Sequence, residues 1–398
     1  MKLEKMCFVF FLFFGLLVFG CASSDGPTSS EANSDLADDG GSGGDDGDGG
    51  IGGPPSTSND SSGFKGTWDL NRADIVRGCS TGLDCIPSID HPDFVAVEAA
   101  SFMERDDVVY GMVIDGQAYA YPEKILDWHE VVNYKFGSAP ITLTYCPLTG
   151  SAVAAPPPVD DVTMNQDRQQ FGVSGFLYNN NLIVYDRVTR SAWSQMYLRS
   201  VNGTLRGELM QTVLLLETTW ESWKRMFPAS RVVSNDTGFE RNYDIFPYGN
   251  YKEVEALLFP LTTYDTRLFF KERVHGIITD RFAPSAKTYR FNLFENGARA
   301  INDEVDGQPV VVAGMKSAHF YISYSRVASD GTVLTFDVST DSPNIYPFDL
   351  LDNEGTTWNI LGQGVSGPRT GQKLEPTDSY NAYWFAWGAF FPGVPIYQ

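Results

Sequence analysis

The stretch Thr218-Thr-Trp-Glu-Ser-Trp-Lys-Arg-Met-Phe-Pro228 returns 164 residues later as Ala382-Tyr-Trp-Phe-Ala-Trp-Gly-Ala-Phe-Phe-Pro392. Both copies read W-x-x-W-x-x-x-F-P. Upstream, Gly203 and Gly207 sit over Gly367 and Gly371 at the same offset, Trp193 over Trp358 at 165, and Tyr185-Asp186 beside Phe348-Asp349. The front parts match as well. Asn133, Pro140 and Ala152 fall on Asn302, Pro309 and Tyr321 at an offset of 169, and Val109-Tyr-Gly-Met112 on Val274-His-Gly-Ile277 at 165. Self-similarity at a fixed period marks a repeat architecture. The expected organisation is two diverged tandem repeats, 95–230 and 265–398, packed side by side and joined by a connector over 231–264.

Within a repeat the apolar residues alternate, as on pleated strands. Val108–Ile114 and Gln117–Tyr121 flank Asp115-Gly116, a hairpin-turn dipeptide. Ile141–Tyr145, Ser151–Ala155, Gln169–Val173 and Leu182–Asp186 follow as further strands. Thr218–Phe227 reads as a helix: Thr218 or Thr219 caps it, Trp220, Trp223 and Phe227 share a face, and Pro228 stops it. The fold class is predominantly β (α+β), two similar β-rich repeats with few short helices. An aromatic content of 14% suits rings packed on pleated sheets.

Before the first repeat, three segments read differently. Lys2 and Lys5 precede an apolar run from Met6 to Phe19, too short to span a bilayer comfortably and suited to a signal peptide over 1–20. Val18-Phe-Gly-Cys21 has the form of a lipobox, in which Cys21 receives the lipid, and Ala22 after it suits sorting to the outer membrane. The expected location is therefore the bacterial cell envelope. Residues 21–63 are an acidic Gly/Ser/Asp linker too poor in apolar side chains to repay ordering, hence a tether. Residues 64–94 form an N-terminal extension. Of the formal charge of -21, -9 lies in 22–63 and +1 in 1–20, so 64–398 carries -13. That balance argues against nucleic acid as a partner, since phosphate contacts need clustered positive charge.

The cysteines narrow the chemistry. Cys79 and Cys85, around Gly82, are placed to close a small disulfide loop in an oxidising compartment, with a metal loop as the alternative. Cys146 is then the odd thiol. Under the 169 offset Cys146 faces Met315, His129 faces Ala298 and Glu130 faces Arg299, so the groups capable of chemistry occur in one repeat only. The expectation is one site built from His129 and Cys146. Met196 or His91 is the third candidate ligand, and Glu130 is a further ligand or the acceptor that orients the imidazole. Such a donor set favours copper or another soft transition metal over Mg²⁺ or Ca²⁺. A lone Cys beside a His is also the minimum for a nucleophile and its base. His275 and His319, in the second repeat, read as structural.

The sequences Trp128-His-Glu-Val-Val-Asn133, Thr144-Tyr-Cys-Pro-Leu-Thr-Gly-Ser151, Gly172-Val-Ser-Gly-Phe-Leu-Tyr-Asn-Asn180 and Tyr185-Asp-Arg187 with Trp193-Ser-Gln195 resemble a bacterial secreted and lipoprotein family, domain of unknown function 3179. The likeness runs over roughly 86–398. The resemblance implies identity and envelope location but no reaction. The family commonly reads Tyr-Cys-Pro-Leu-Cys-Gly, whereas Thr149 stands here at the second Cys. That departure removes a local C-x-x-C disulfide and with it a thioredoxin-like cycle. Three readings follow: a metal-binding lipoprotein, an enzyme with Cys146 as nucleophile, or a ligand-binding or scaffold module using aromatic-rich grooves.

Overall fold

The computed structural model describes residues 63–79, 82–158, 169–340 and 346–398. The expected leader over 1–20, Cys21, and all of the 21–63 linker but Gly63 lie outside them. Among the described residues no helix is long and apolar enough to cross a membrane.

The protein is β-rich, with three seven-residue α-helices among the described residues. The first sheet opens on the hairpin Val108–Ile114 and Gln117–Pro122, whose turn residues Asp115 and Gly116 both have positive φ, 50° and 78°. Two left-handed residues match the twist of the flanking strands. Leu216–Thr219 pairs with Val108–Ile114 on one side. On the other side Arg231–Val233 runs parallel to Gln117–Pro122 and antiparallel to Phe94–Ala96. The sheet thus takes in residues just beyond 230. A second sheet is the meander Val131–Phe136, Ala139–Cys146, Ser151–Ala155, with Ile89–Asp90 added in parallel. A third runs Ile75–Arg77, Phe171–Tyr178, Asn181–Asp186, Ala192–Ser194, Arg199–Asn202.

The same succession of three sheets occurs in residues 273–398. Ser379–Tyr383, Arg273–Asp280 and Ser285–Arg290 form one sheet, and Arg299–Val305, Gln308–Met315 and Phe320–Ser325 the next. The last is Phe336–Ser339, Asp349–Asp352, Thr357–Trp358, Gly364–Ser366. Side chains that the sequence pairs make like contacts. The Asn133 amide donates to Phe171 O at 2.9 Å and accepts from Phe171 N at 3.1 Å. Asn302 brackets Phe336 in the same way, at 2.7 and 2.8 Å. Trp193 Nε1 donates to Asp186 and Trp358 Nε1 to Asp352, at 3.0 and 2.9 Å. The counterpart of Asp186 is therefore Asp352 and not Asp349, because each of these carboxylates closes its strand and Asp349 opens one.

The three helices are α1 (Glu123–His129), α2 (Trp220–Met226) and α3 (Trp384–Phe390). Thr219 caps α2 by accepting from Ser222 N at 3.3 Å. α2 and α3 close over glycines: a Cβ on Gly111 would lie 2.1 Å from the Trp223 ring, and one on Gly276 2.2 Å from Trp387.

The halves do not lie side by side, as the repeat alone suggests; they interlock. Trp384, Trp387 and Phe390 of α3 share a core with Cys146, Val153, Val173, Leu182 and Trp193 of the first half. Trp220 and Trp223 of α2 share theirs with Val311, Phe320, Ile322 and Trp358 of the second. Each helix therefore packs its indoles on its own half's strands within a core that both halves build, and Phe390 of α3 reaches Tyr178 and Tyr197 of the first half. The seam is fixed by Glu217, whose carboxylate takes Arg273 at 2.5 Å, His319 at 2.7 Å and Asn381 at 3.0 Å, all from the second half. Burial alone would raise the pKa of Glu217, but Arg273, His319 and Asn381 overcome it and hold it at about 2.

Gly111→Ala and Gly276→Ala should each destabilise the protein by about 1–3 kcal/mol, because a methyl group has nowhere to go against an immobile indole. Urea unfolding midpoints check this, and an alanine variant as stable as the parent would contradict the close glycine–indole packing.

Candidate functional site

α1 ends on Glu130, whose φ of 56° and ψ of -27° place it in the left-handed region, with its N–H bonded to Leu126 O at 2.8 Å. Glycine or asparagine usually fills such a cap, and a Glu there is held in place by its surroundings at some conformational cost. The chain then enters Val131–Phe136, and Glu130 O accepts from Tyr145 N at 2.7 Å. This tight reversal leaves the Glu130 carboxyl buried beside the end of the Ala139–Cys146 strand. Cys146 is buried there, its thiol donating to Asn180 O at 3.4 Å.

The connector covers both groups. The Asn180 side chain donates to Phe259 O at 2.7 Å and accepts from Phe259 N at 2.9 Å, and Asn179 accepts from Thr262 N at 2.7 Å. Tyr251 donates to Leu148 O at 2.9 Å. The Lys271 ammonium gathers the carbonyls of Tyr251, Val254 and Ala256 while lying 3.5 Å from the centre of the Tyr251 ring. So held, the connector brings Tyr248 over the site, where its hydroxyl donates to Glu130 Oε1 at 3.2 Å.

What these elements enclose is a cavity of about 210 Å³. Leu148, Val173, Phe176, Leu177, Leu182 and Phe259 are among its walls, Cys79 of the disulfide borders it, and its titratable side chains are Glu130, Cys146 and Tyr248. Burial pushes the Glu130 carboxyl up to about 7, with the Tyr248 hydrogen bond opposing. Burial, then the charge of Glu130, pushes the Cys146 thiol up to about 11, against hydrogen bonds from Thr149 and the Leu182 backbone. At neutral pH the thiol is protonated, and the carboxyl is poised between its two forms.

The remaining expected site residues are dispersed. His129 Nδ1 lies 2.8 Å from Pro87 O, which can only accept, so Nε2 accepts from Tyr243 Oη at 2.7 Å. Its ring packs on Phe239, 5.1 Å between centres, and it does not line the cavity of Cys146. His91, at φ 65°, borders a different cavity of about 400 Å³ with Asp90, Asp93 and Asp236. Met196 is fully buried in the same core as Cys146 but is not part of the cavity wall. Cys79 and Cys85 form the disulfide.

Among the described residues no group of three or more His, Cys, Asp or Glu side chains is placed to hold a metal ion. A soft-metal centre at His129 and Cys146 would need an imidazole nitrogen that already has a partner and a thiol that burial keeps protonated. His129 and Cys146 are thus not brought together on one cavity wall. Glu130 also departs from expectation: it neither ligates nor orients His129, because the left-handed cap turns its side chain away from the imidazole and toward the thiol.

Residues that sequence reasoning passed over complete the site. Tyr248 comes from the connector, which matches neither repeat. Next to it, Lys252 reaches Asp127 at 3.1 Å and Glu123 at 3.2 Å, and Tyr145 donates to Glu123 at 2.6 Å. Asp127 Oδ1 has no partner, and burial, then Glu123, raises its pKa. The i, i+4 spacing of Glu123 and Asp127 ahead of Glu130 was the available signal.

The described residues form a β-rich protein with a mostly apolar cavity beside Cys146. Residues 83–394 match the family described as protein of unknown function (DUF3179), and the chain belongs to that family. No curated protein matches the chain, and no solved structure does.

The Glu130 shift sets a pH dependence. Its folded pKa, about 7, lies above the ordinary 4.5, so its proton stabilises the native state below 4.5 and that contribution is lost as pH rises through 7. Glu130→Gln should therefore raise stability at pH 8 by up to about 3 kcal/mol and change it little at pH 4. Denaturant titrations of parent and variant at the two pH values check this, and equal differences at both would contradict it.

Proposed function

We propose that this chain is an envelope-anchored protein that binds a small, largely apolar ligand in the cavity beside Cys146. The observation that carries the reading is the cavity itself: of about 210 Å³, apolar apart from a few converging polar groups, and bearing a carboxyl with a strongly displaced pKa. Pockets of that composition are where ligands are generally recognised. Its size suits a one-ring molecule, since an apolar cavity of roughly 150 Å³ already admits benzene. The lipobox-like Val18–Cys21 and the acidic tether support lipid attachment through Cys21, at the outer membrane.

A second reading has an observation of its own. Thr149 and the Leu182 backbone act to lower the Cys146 pKa against its burial, as groups that favour a thiolate would. In that case Cys146 is a nucleophile that loses its proton to Glu130 when substrate arrives. The protonated resting thiol favours the binding reading.

Two measurements test the proposal. Indole near its solubility limit should slow alkylation of Cys146 several-fold, and labelling that is blind to such probes would remove the pocket reading. Without ligand, Cys146 should be alkylated far more slowly than a free cysteine at pH 7.5, and a fast reaction would instead favour the nucleophile. Separately, Cys21→Ser should shift the protein from the membrane fraction to the soluble fraction, and unchanged membrane retention would rule out the anchor.

A further inference from the structure

Five carboxylates are buried among the described residues, and four are partnered: Glu217 by Arg273, Asp127 by Lys252, and Asp186 and Asp352 each by several N–H or hydroxyl donors. Glu130, 5% exposed, differs: among the described side chains its hydrogen-bond partner is the Tyr248 hydroxyl, and no Lys, Arg or His pairs with it. Nearby cations are engaged elsewhere: Lys252 by Glu123 and Asp127, Lys271 by three backbone carbonyls. A buried carboxyl without a cation is costly, and such groups are ordinarily paired. Here it also occupies a left-handed cap, so two separate costs fall on one residue whose side chain borders a cavity.

The walls around that carboxyl have a matching character. Phe176, Phe259 and Tyr248 line the cavity, and most of the remaining lining side chains are aliphatic. Aromatic rings attract cations. The charge of the chain is strongly negative, which raises the local concentration of small cations rather than anions.

Resting on the binding reading above, we infer that the ligand is a small organic monocation, a primary alkyl- or arylalkylammonium. Its charged head sits on Glu130 and Tyr248, and its apolar body lies against Leu148, Val173, Leu182 and Phe259. The ammonium supplies the missing counter-charge, and the cavity excludes the water that would otherwise weaken the pair. The titratable groups that face Glu130 are Tyr248 from the connector and Cys146 from its strand, with the Asp127–Lys252 pair one helical turn back. Between pH 5 and 8 Tyr248 and Cys146 keep their protons; burial pushes Asp127 up to about 8, but it does not line the cavity, so Glu130 is the lining group whose charge changes.

The test compares benzylamine with benzyl alcohol, which has the same shape and no charge, by calorimetry on the intact protein, with Cys146 labelling at pH 8 locating the bound probe. At pH 8 benzylamine should bind roughly ten- to a hundredfold more tightly than the alcohol. At pH 5, where Glu130 is protonated and benzylamine still charged, most of that preference should vanish. Glu130→Gln should bind both probes within about twofold of each other at every pH. Equal binding of the two probes by the parent at pH 8, with both protecting Cys146, would overturn the cation inference and leave the pocket reading standing. Failure of both probes to protect Cys146 would overturn the two together. The pH series on the parent decides the matter even where Glu130→Gln folds poorly.

Discussion

Trp384 and Trp387 of α3 stand more than two hundred residues from Cys146 in the chain, yet they belong to the core that encloses it. Burying an indole is worth roughly 4–6 kcal/mol in transfer terms. Each half of the protein contributes two such rings to the core of the other. The two halves thus close their cores jointly, with Phe390 of α3 against Tyr178 and Tyr197 of the first half. The glycines at 111 and 276 follow from the same demand, since the helices approach so closely that a methyl group on the strand would overlap the ring.

A seam between two such halves needs a register, and apolar surfaces alone fix one poorly. The buried cluster of Glu217, Arg273, His319 and Asn381 provides it. Arg273 also donates to Gly150 O at 2.6 Å, tying the loop after Cys146 to the second half. Such a cluster adds little net stability over an apolar alternative, yet removing one partner leaves a buried charge exposed to roughly 3–5 kcal/mol of penalty. Its value lies in specificity: a shifted pairing of the halves would strand those charges. The neighbouring hydroxyls of Tyr110 and Tyr321 are buried without partners, so the seam is not fully satisfied even in register.

Much of the fold was legible in the sequence, because strand alternation and recurrent Trp, Gly and Asn positions report local geometry directly. Val108–Ile114 and Ser151–Ala155 appear as read, and Asn133 and Asn302 do the same work in the two halves. The interlocking was not legible. An aromatic stripe on Trp220 and Trp223 says that a face is buried, not which half buries it. The site was half legible. Comparing the repeats picked out His129 and Cys146 as the pair, on the ground that ligand-type residues vary together, and left Glu130 a supporting part, whereas Glu130 shares the cavity wall with Cys146. The error is local: α1 was not foreseen, and with a helix ending at His129 and a left-handed residue at 130, adjacent side chains separate by a rule that strand alternation does not describe.

The two halves share their framework and differ where the chemistry is. Cys146 corresponds to Met315 and Glu130 to Arg299, and the connector that supplies Tyr248 and Phe259 corresponds to nothing in either half. A repeated scaffold constrains each position twice, since a glycine or tryptophan that serves one half serves the other in the same way. A segment outside the repeat carries no such constraint. It is held here by a few specific anchors, the Asn179-Asn180 turn and the Lys271 ammonium, and not by a sheet of its own. A cavity walled on one side by rigid strands and on the other by a separately anchored strap can change its lining without disturbing either core. That division leaves the variable wall of the cavity to the connector and the shared cores to the two halves, and Glu130, in its left-handed conformation, lies where the two meet.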